Sequence, residues 1–198
     1  EPFFFAHAGN KDAPRLYADV LHAFVIFCVF VFLLVTLYLD FFKYFIGAPF
    51  RVGLPVVPIL LLANLFLGIY INLSIWYKLT DRTLLGAWVA LGGAAVTIAL
   101  NLCWVPVMGY MGAAWATLVC YVAMAAASYL LGRRYYPAPY QVTRVFGYIG
   151  LGLLLYFTDR QLLANTSVPP FVSGSILLAV YMIVAYAADG RRLLQWRG

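Results

Sequence analysis

Side chains able to do chemistry are few in this 198-residue chain, and most of them are amides and guanidiniums set among apolar residues. Asn64, Gly68, Asn72 and Trp76 recur every four positions. On a helix they form one stripe about 120° wide opposite a Leu, Ile and Phe face. Gly86, Ala90, Gly93, Thr97 and Asn101 form a second such series, and Ala113, Ala116, Cys120, Ala123 and Ala127 a third. Two readings fit these stripes. Small residues let helices approach closely, with Asn and Thr hydrogen-bonding across the contact. Alternatively the stripes line a polar lumen in which Asn64, Asn72 and Asn101 meet a substrate.

Other chemical signals are weaker. His7 and Asp12 match the H-x4-D pattern of glycerolipid acyltransferases, in which His is the base and Asp orients it. That chemistry needs a soluble α/β domain to follow, and here an apolar run follows at once. Asn165, Thr166 and Ser167 form a glycosylation sequon, as do Asn72, Leu73 and Ser74, the latter inside an apolar run. Cys28, Cys103 and Cys120 are odd in number and sit within apolar runs, which predicts free thiols and neither a zinc site nor a disulfide. There is no phosphate-binding loop, no HExxH, no acidic cluster and no GxSxG. The loops lack the carboxylate, His and Cys groups of an enzyme active site. The expectation is therefore a protein with no catalytic residue, metal or cofactor.

The elements that must carry these residues follow from composition. Apolar residues make up 65% of the chain and charged residues 10%, with a mean hydropathy of +0.91. A soluble domain is nearer 45–50% apolar and about 25% charged. Soluble, disordered and disulfide-scaffold classes are thereby excluded, and an all-α membrane protein is expected. The net charge of +6 is scattered between apolar runs and forms no patch, so nucleic acid is not the partner; the lipid bilayer is.

A span needs about 20 mostly apolar residues. Six are expected, at 20–39, 54–77, 84–105, 111–131, 142–158 and 171–188, the fifth having an apolar centre of only thirteen residues flanked by Arg144, Asp159 and Arg160. Pro55 and Pro58 open the second. Residues 1–19 read as the end of a preceding helix and a loop, 20–189 as the membrane bundle and 190–198 as a basic tail. Residues 40–53, rich in Phe and Tyr, read as a headgroup-level loop. His22 reads as interfacial, and no Asp, Glu, Lys or Arg falls in the middle of a span, so neither a proton relay nor a carboxylate ion site is expected. Glu1 with Pro2 is the one exception, as a gate in a disrupted helix or as a helix end. The opening Glu1-Pro2, without Met, reads as the start of a C-terminal piece of a longer protein.

Six spans place Lys11, Arg15, Lys78, Arg82, Arg133, Arg134, Arg144, Arg191, Arg192 and Arg197 on one side, and Lys43, Arg51 and Arg160 on the other. That split of ten against three makes the first side, with the C-terminus, cytoplasmic. Without the fifth span it would be seven against six. Lys78, Arg82 and Arg133 are, on this reading, topology and headgroup anchors.

The run from Asn101 to Thr117 reads N-L-x-x-x-P-x-x-G-x-x-G-A-A-x-A-T, with Pro106, Gly109, Gly112, Ala113, Ala116 and Thr117 in the fixed places and Tyr121 one turn on. It resembles a helical hairpin of bacterial polysaccharide flippases, of the O-antigen and lipopolysaccharide type, in the multidrug/oligosaccharidyl-lipid/polysaccharide exporter superfamily. Gly68 to Thr83, through Trp76, Lys78, Asp81 and Arg82, resembles the helix before it. The likeness covers about residues 54–137. It implies a two-bundle transporter of which this chain is most of the second bundle, the first being an N-terminal partner bundle of the same protein. It implies a multi-pass protein of the bacterial inner membrane that moves lipid-linked oligosaccharide or polysaccharide precursors by alternating access, in polysaccharide biosynthesis. Asn64, Asn72 and Asn101 would then touch the substrate, and Lys78, Arg82 and Arg133 its diphosphate. The family's cationic lumen residues have no clear match inside these spans. A multidrug exporter of the same superfamily is the first alternative; an embedded carboxylate would favour it, and none is visible in the spans. A membrane-embedded polysaccharide polymerase or acyltransferase is the second, and the short loops disfavour it.

Overall fold

The computed structural model describes residues 13–163 and 169–194. It is an all-α fold of membrane type, and among the described residues there is no strand. Glu1, His7, Lys11, Asp12, Asn165, Thr166, Ser167 and Arg197 lie outside the described residues, as do the side chains of Arg191 and Arg192. The helices are α1 (Ala13–Leu37), α2 (Leu39–Phe42), α3 (Val57–Leu73), α4 (Ile75–Leu79), α5 (Thr83–Met108), α6 (Tyr110–Tyr135), α7 (Val142–Thr158) and α8 (Pro170–Leu194). Tight 3-10 turns over Lys43–Phe45 and Ala48–Val56 precede α3, and a π turn over Asp159–Leu163 extends α7.

Length and apolarity suffice for membrane crossing in five segments: Ala13–Leu37, Ala48–Leu79, Thr83–Met108, Tyr110–Tyr135 and Phe171–Gly190. The 26 residues of α5 reach about 39 Å against roughly 30 Å of hydrocarbon. The 17 residues of α7 reach only about 25 Å before its π turn.

Several ends differ from the sequence expectation. α1 is helical from Ala13, the first described residue, ahead of the span expected from residue 20. α5 does not stop at Pro106 but runs to Met108, so the link to α6 narrows to Gly109. The aromatic stretch after α1 is a chain of short helical turns rather than an open loop. It leaves Phe41, Tyr44, Phe45, Phe50 and Val52 exposed. There Lys43 is held above its usual pKa by its hydrogen bond to Asp40 (2.9 Å). Arg51 Nε donates to the Lys43 and Ile46 carbonyls.

The described residues fall into two compact units. In the first, made of 13–21 and Pro55–Gln141, α6 packs between α3 and α5. Gly112, Ala116 and Cys120 are buried in these contacts. On α3 the buried face is Leu65, Ile69 and Leu73, continued by Trp76 of α4. Trp76 is 2% exposed, stacks with Tyr135, meets Tyr77 at a tilt, and donates Nε1–H to the Ser128 carbonyl (3.3 Å). Leu84, Trp88, Leu91, Ile98 and Leu102 form an exposed apolar stripe on α5, a surface suited to lipid and not to water.

Gly109 caps both α5 and α6 with φ +59° and ψ −137°. Its N–H donates to Val105 and its carbonyl accepts from Gly112 N–H. A Cβ here would meet no atom within 4 Å, so only backbone strain opposes one. Gly109→Ala is therefore expected to destabilise the hairpin by about 1–2 kcal/mol. Detergent-solubilised unfolding, with helicity followed by circular dichroism, checks this; a variant as stable as the parent would contradict the strain argument.

In the second unit, made of His22–Leu54, 142–163 and 169–194, α1 meets α7 and α8 through side chains. Gly152 admits Val29, whose Cγ1 would lie 2.6 Å from a Cβ at that position. Phe32 meets Tyr156 edge-on, and Tyr38 meets both Phe171 and Ser175. Tyr181, fully buried, donates its hydroxyl to the Ile26 carbonyl (2.8 Å).

Candidate functional site

Where α1, α7 and α8 converge, the second unit buries a charged cluster. Arg144 and Tyr148 are four residues apart on α7 and so share a face. On α8 the buried positions Tyr181, Ala185 and Asp189 repeat every four residues, which carries the carboxylate along the packed face. α8 continues to Leu194, so Asp189 lies within the helix and is 2% exposed. His22 comes from α1, one turn before Ile26.

Both carboxylate oxygens of Asp189 are occupied. Oδ1 accepts from Arg144 Nη1 at 2.9 Å. Oδ2 accepts from the Tyr148 hydroxyl at 2.6 Å and contacts His22 Nε2 at 2.9 Å. With a carboxylate that can only accept, Nε2 is the nitrogen that carries the proton. The His22 and Tyr148 rings meet edge-on, and Tyr148 in turn meets Tyr181 edge-on. His22 is 8% exposed, and its Nδ1 is buried with no hydrogen-bond partner among the described residues. Arg144 is different: nearly half of its side chain is exposed. A groove of about 330 Å³, lined by Arg144, Gly147, Tyr148, Leu151, Val184, Ala188 and Asp189, runs beside the cluster.

An isolated carboxylate in an apolar interior is strongly disfavoured. Here a guanidinium, a phenol and an imidazole replace its hydration. Charge-assisted hydrogen bonds of this kind contribute roughly 1.5–3 kcal/mol each. The arrangement can hold a buried negative charge, position an imidazole against it and exchange protons. Among the described residues no group of three or more His, Cys, Asp or Glu is placed to hold a metal ion.

The expectation that no Asp, Glu, Lys or Arg falls in the middle of a span stands beside this cluster: Asp189 is the second-last residue of the apolar segment Phe171–Gly190, inside a helix that runs on past it. Asp189 precedes Gly190, Arg191 and Arg192, a pattern that reads as a helix end, whereas the helix carries on through it. His22 is buried against the protein and bonded to a carboxylate, and Arg144 is its partner in that task as well as a flanking cation.

The candidate substrate contacts read from sequence, Asn64, Asn72, Asn101, Lys78, Arg82 and Arg133, all lie in the first unit. Asn64 is exposed, and Asn72 and Asn101 are half-buried. Each turns its amide N–H onto its own helix, at the carbonyls of Leu60, Gly68 and Thr97 respectively, 2.8–2.9 Å away. The packed face of α3 runs one residue over from the Asn stripe, so Asn64 and Asn72 sit beside it rather than in it. Of the α5 series, Gly93 faces α6: a Cβ there would lie 2.5 Å from Met124 Sδ, and Cys120 Sγ donates to the Gly93 carbonyl. Thr117 donates to the Ala113 carbonyl of its own helix. Lys78 and Arg82 are exposed around the turn between α4 and α5, where Asp81 takes a positive φ of 54°. The Arg82 guanidinium stacks over Tyr135 at 4.2 Å, and Arg134 approaches the same ring at 5.7 Å. Arg133 lies 5.9 Å from the Tyr129 ring. Arg82, Arg133 and Arg134 are thus gathered at the C-terminal end of α6, each beside a tyrosine. The cysteines are free thiols, with Cys120 buried, Cys28 half-buried and Cys103 exposed.

No family model, no curated protein and no solved structure matches this chain.

Proposed function

We propose that the chain is part of a multi-pass membrane transporter whose second unit is built around the Asp189 cluster. The observation that carries this reading is the burial of a carboxylate, an imidazole and a phenol among apolar helices, joined to a half-exposed arginine. Ionisable groups at such positions are expensive and mark pathways and relays. The substrate class comes from the resemblance of residues 54–137 to polysaccharide flippases: a lipid-linked oligosaccharide or polysaccharide precursor, moved across a bacterial inner membrane by alternating access, with the C-terminus cytoplasmic and a partner bundle supplied by the same protein. The gathering of Arg82, Arg133 and Arg134 suits an anionic headgroup such as a diphosphate. No covalent step is part of this reading.

The multidrug exporter of the same superfamily gains one observation, since Asp189 is an embedded carboxylate. Its two oxygens are already taken by Arg144, Tyr148 and His22, which leaves an organic cation no bare charge to meet.

Cells lacking the protein are expected to accumulate lipid-linked oligosaccharide on the leaflet where it is made and to lose surface polysaccharide. Unchanged lipid-linked pools with raised sensitivity to cationic drugs would favour the exporter and contradict the flippase.

A further inference from the structure

Two features of the α5–α6 hairpin meet at one end of it. The first is an apolar groove of about 360 Å³, walled by Leu85, Gly92 and Val96 of α5 and by Ala123, Ala127 and Leu131 of α6. At about 1.5 Å per residue its α5 wall runs roughly 16 Å and its α6 wall roughly 12 Å. Trp88 also lines it and is exposed, and a Cβ on Gly92 would meet nothing within 4 Å, so no side chain of the hairpin fills the groove there. The second feature is the pair Arg82 and Arg134. Arg82 stands three residues before Leu85 and Arg134 three after Leu131, so each continues the wall of its own helix past the end of the groove. Both guanidiniums lie at the Tyr135 ring, 4.2 and 5.7 Å from its centroid. That ring stacks with Trp76, which the Ser128 carbonyl anchors. Arg133 adds a third charge beside Tyr129. Among the described residues no carboxylate forms an ion pair with any of the three arginines.

We propose that this end of the hairpin binds an anionic glycerophospholipid of the bilayer, its phosphate at Arg82 and Arg134 and one acyl chain along the groove. Two guanidiniums at one ring repel each other, and an anion between them offsets that repulsion. A tyrosine ring steadies a guanidinium without neutralising it, so the charge remains for the anion. The planar fork of arginine then matches phosphate oxygens with paired N–H donors. Basic pockets between membrane helices take lipid headgroups by this chemistry. The groove selects among phosphate-bearing lipids. One leaflet's hydrocarbon is about 15 Å deep, half of roughly 30 Å. The groove has that length, which suits an acyl chain ending at the midplane and not a much longer polyprenyl chain. The diphosphate of a lipid-linked precursor shares the anion chemistry, so chain length is what separates the two occupants. The site requires that α5 and α6 cross a bilayer; it does not rest on the transporter reading.

The test places the full chain in phosphatidylcholine nanodiscs and titrates in phospholipid with brominated acyl chains. Bromine quenches nearby tryptophan, and the part of the quenching that disappears in Trp88→Phe reports the groove. Brominated phosphatidylglycerol is expected to quench Trp88 at a mole fraction at least about fivefold lower than brominated phosphatidylcholine does. Equal potency of the two lipids in the parent would overturn the site and leave the arginines as headgroup anchors; this comparison needs no charge or groove variant to fold. Arg82→Gln combined with Arg134→Gln is expected to erase the preference. Gly92→Phe, which fills the groove and keeps both arginines, is expected to erase it too. A preference that survives Gly92→Phe would show headgroup attraction alone and overturn the acyl seat. An equal amount of unlabelled polyprenyl diphosphate is expected to leave the quenching in place; displacement would give the site to the lipid-linked precursor and overturn the phospholipid. Relief by inorganic phosphate at the same concentration would assign the arginines to a free anion and overturn it likewise. A clear preference in a protein that moves no lipid-linked sugar would sink the transporter reading alone.

Discussion

Asp189→Ala is expected to destabilise the second unit by roughly 3–5 kcal/mol, the cost of removing one side of a buried ion pair. Two groups lose their partner inside the protein. The Tyr148 hydroxyl and the His22 Nε2–H have Asp189 Oδ2 as their shared acceptor, and His22 then has neither ring nitrogen satisfied. Arg144 suffers less, because nearly half of its side chain already meets solvent. Asp189→Asn should fall well short of the alanine loss, since the amide oxygen still accepts. The ion pair as such is weak grounds for stability, because desolvating the charges offsets much of their attraction. The prediction rests instead on the asymmetry between a satisfied cluster and a half-satisfied one. Denaturant unfolding in detergent, compared for the parent, Asp189→Ala and Asp189→Asn, checks it. An alanine variant within about 1 kcal/mol of the parent would show that water already shares the site.

Gly112→Val is expected to disrupt the α5–α6 hairpin by at least 1–3 kcal/mol, the range seen for overpacked interiors. A Cβ at Gly112 would lie 2.6 Å from the Trp104 carbonyl oxygen and 2.7 Å from its carbon. Both are backbone atoms of a regular helix, so neither can rotate away as a side chain would. The helices must separate, and separation spreads to the buried contacts of Ala116 and Cys120 further along α6. Gly92→Ala is the control on the same hairpin. Its Cβ would meet nothing within 4 Å, and alanine is the better helix former by about 1 kcal/mol, so it should be neutral or stabilising. The pair separates a steric requirement from a general taste for glycine. Equal effects of the two substitutions would contradict the close approach of Trp104 and Gly112.

These two sites differ in how far they can be read from the chain. The hairpin is a local object: Asn101, Pro106, Gly109 and Gly112 sit within twelve residues, and tight turns and close helix contacts demand glycine at fixed offsets. The all-α membrane class is equally open, being a matter of composition. The Asp189 cluster is the opposite case. His22 and Asp189 are 167 residues apart, and no periodicity along one helix says which face of another it will meet. Two local patterns also hid it. Asp189 stands in front of Gly190, Arg191 and Arg192, which looks like the water-exposed end of a span. Arg144 was already explained as a flanking cation. The one available signal was positional. Tyr181, Ala185 and Asp189 continue a single buried register, so the carboxylate falls on the face that Tyr181 packs. On α3 the Asn stripe was visible, but the packed face lies one residue away from it, and a 100° step separates a contact residue from a bystander.

The most direct test of the account is the rate at which the intact protein, reconstituted in liposomes, moves a lipid-linked oligosaccharide between leaflets, measured for the parent and for Asp189→Asn. The account predicts movement by the parent and a loss of at least about tenfold in the variant, equivalent to about 1.4 kcal/mol in the rate-limiting barrier, while circular dichroism stays helical. A folded Asp189→Asn protein that works at the parent rate would contradict the role given to the cluster, and a parent that moves no such lipid would contradict the function itself.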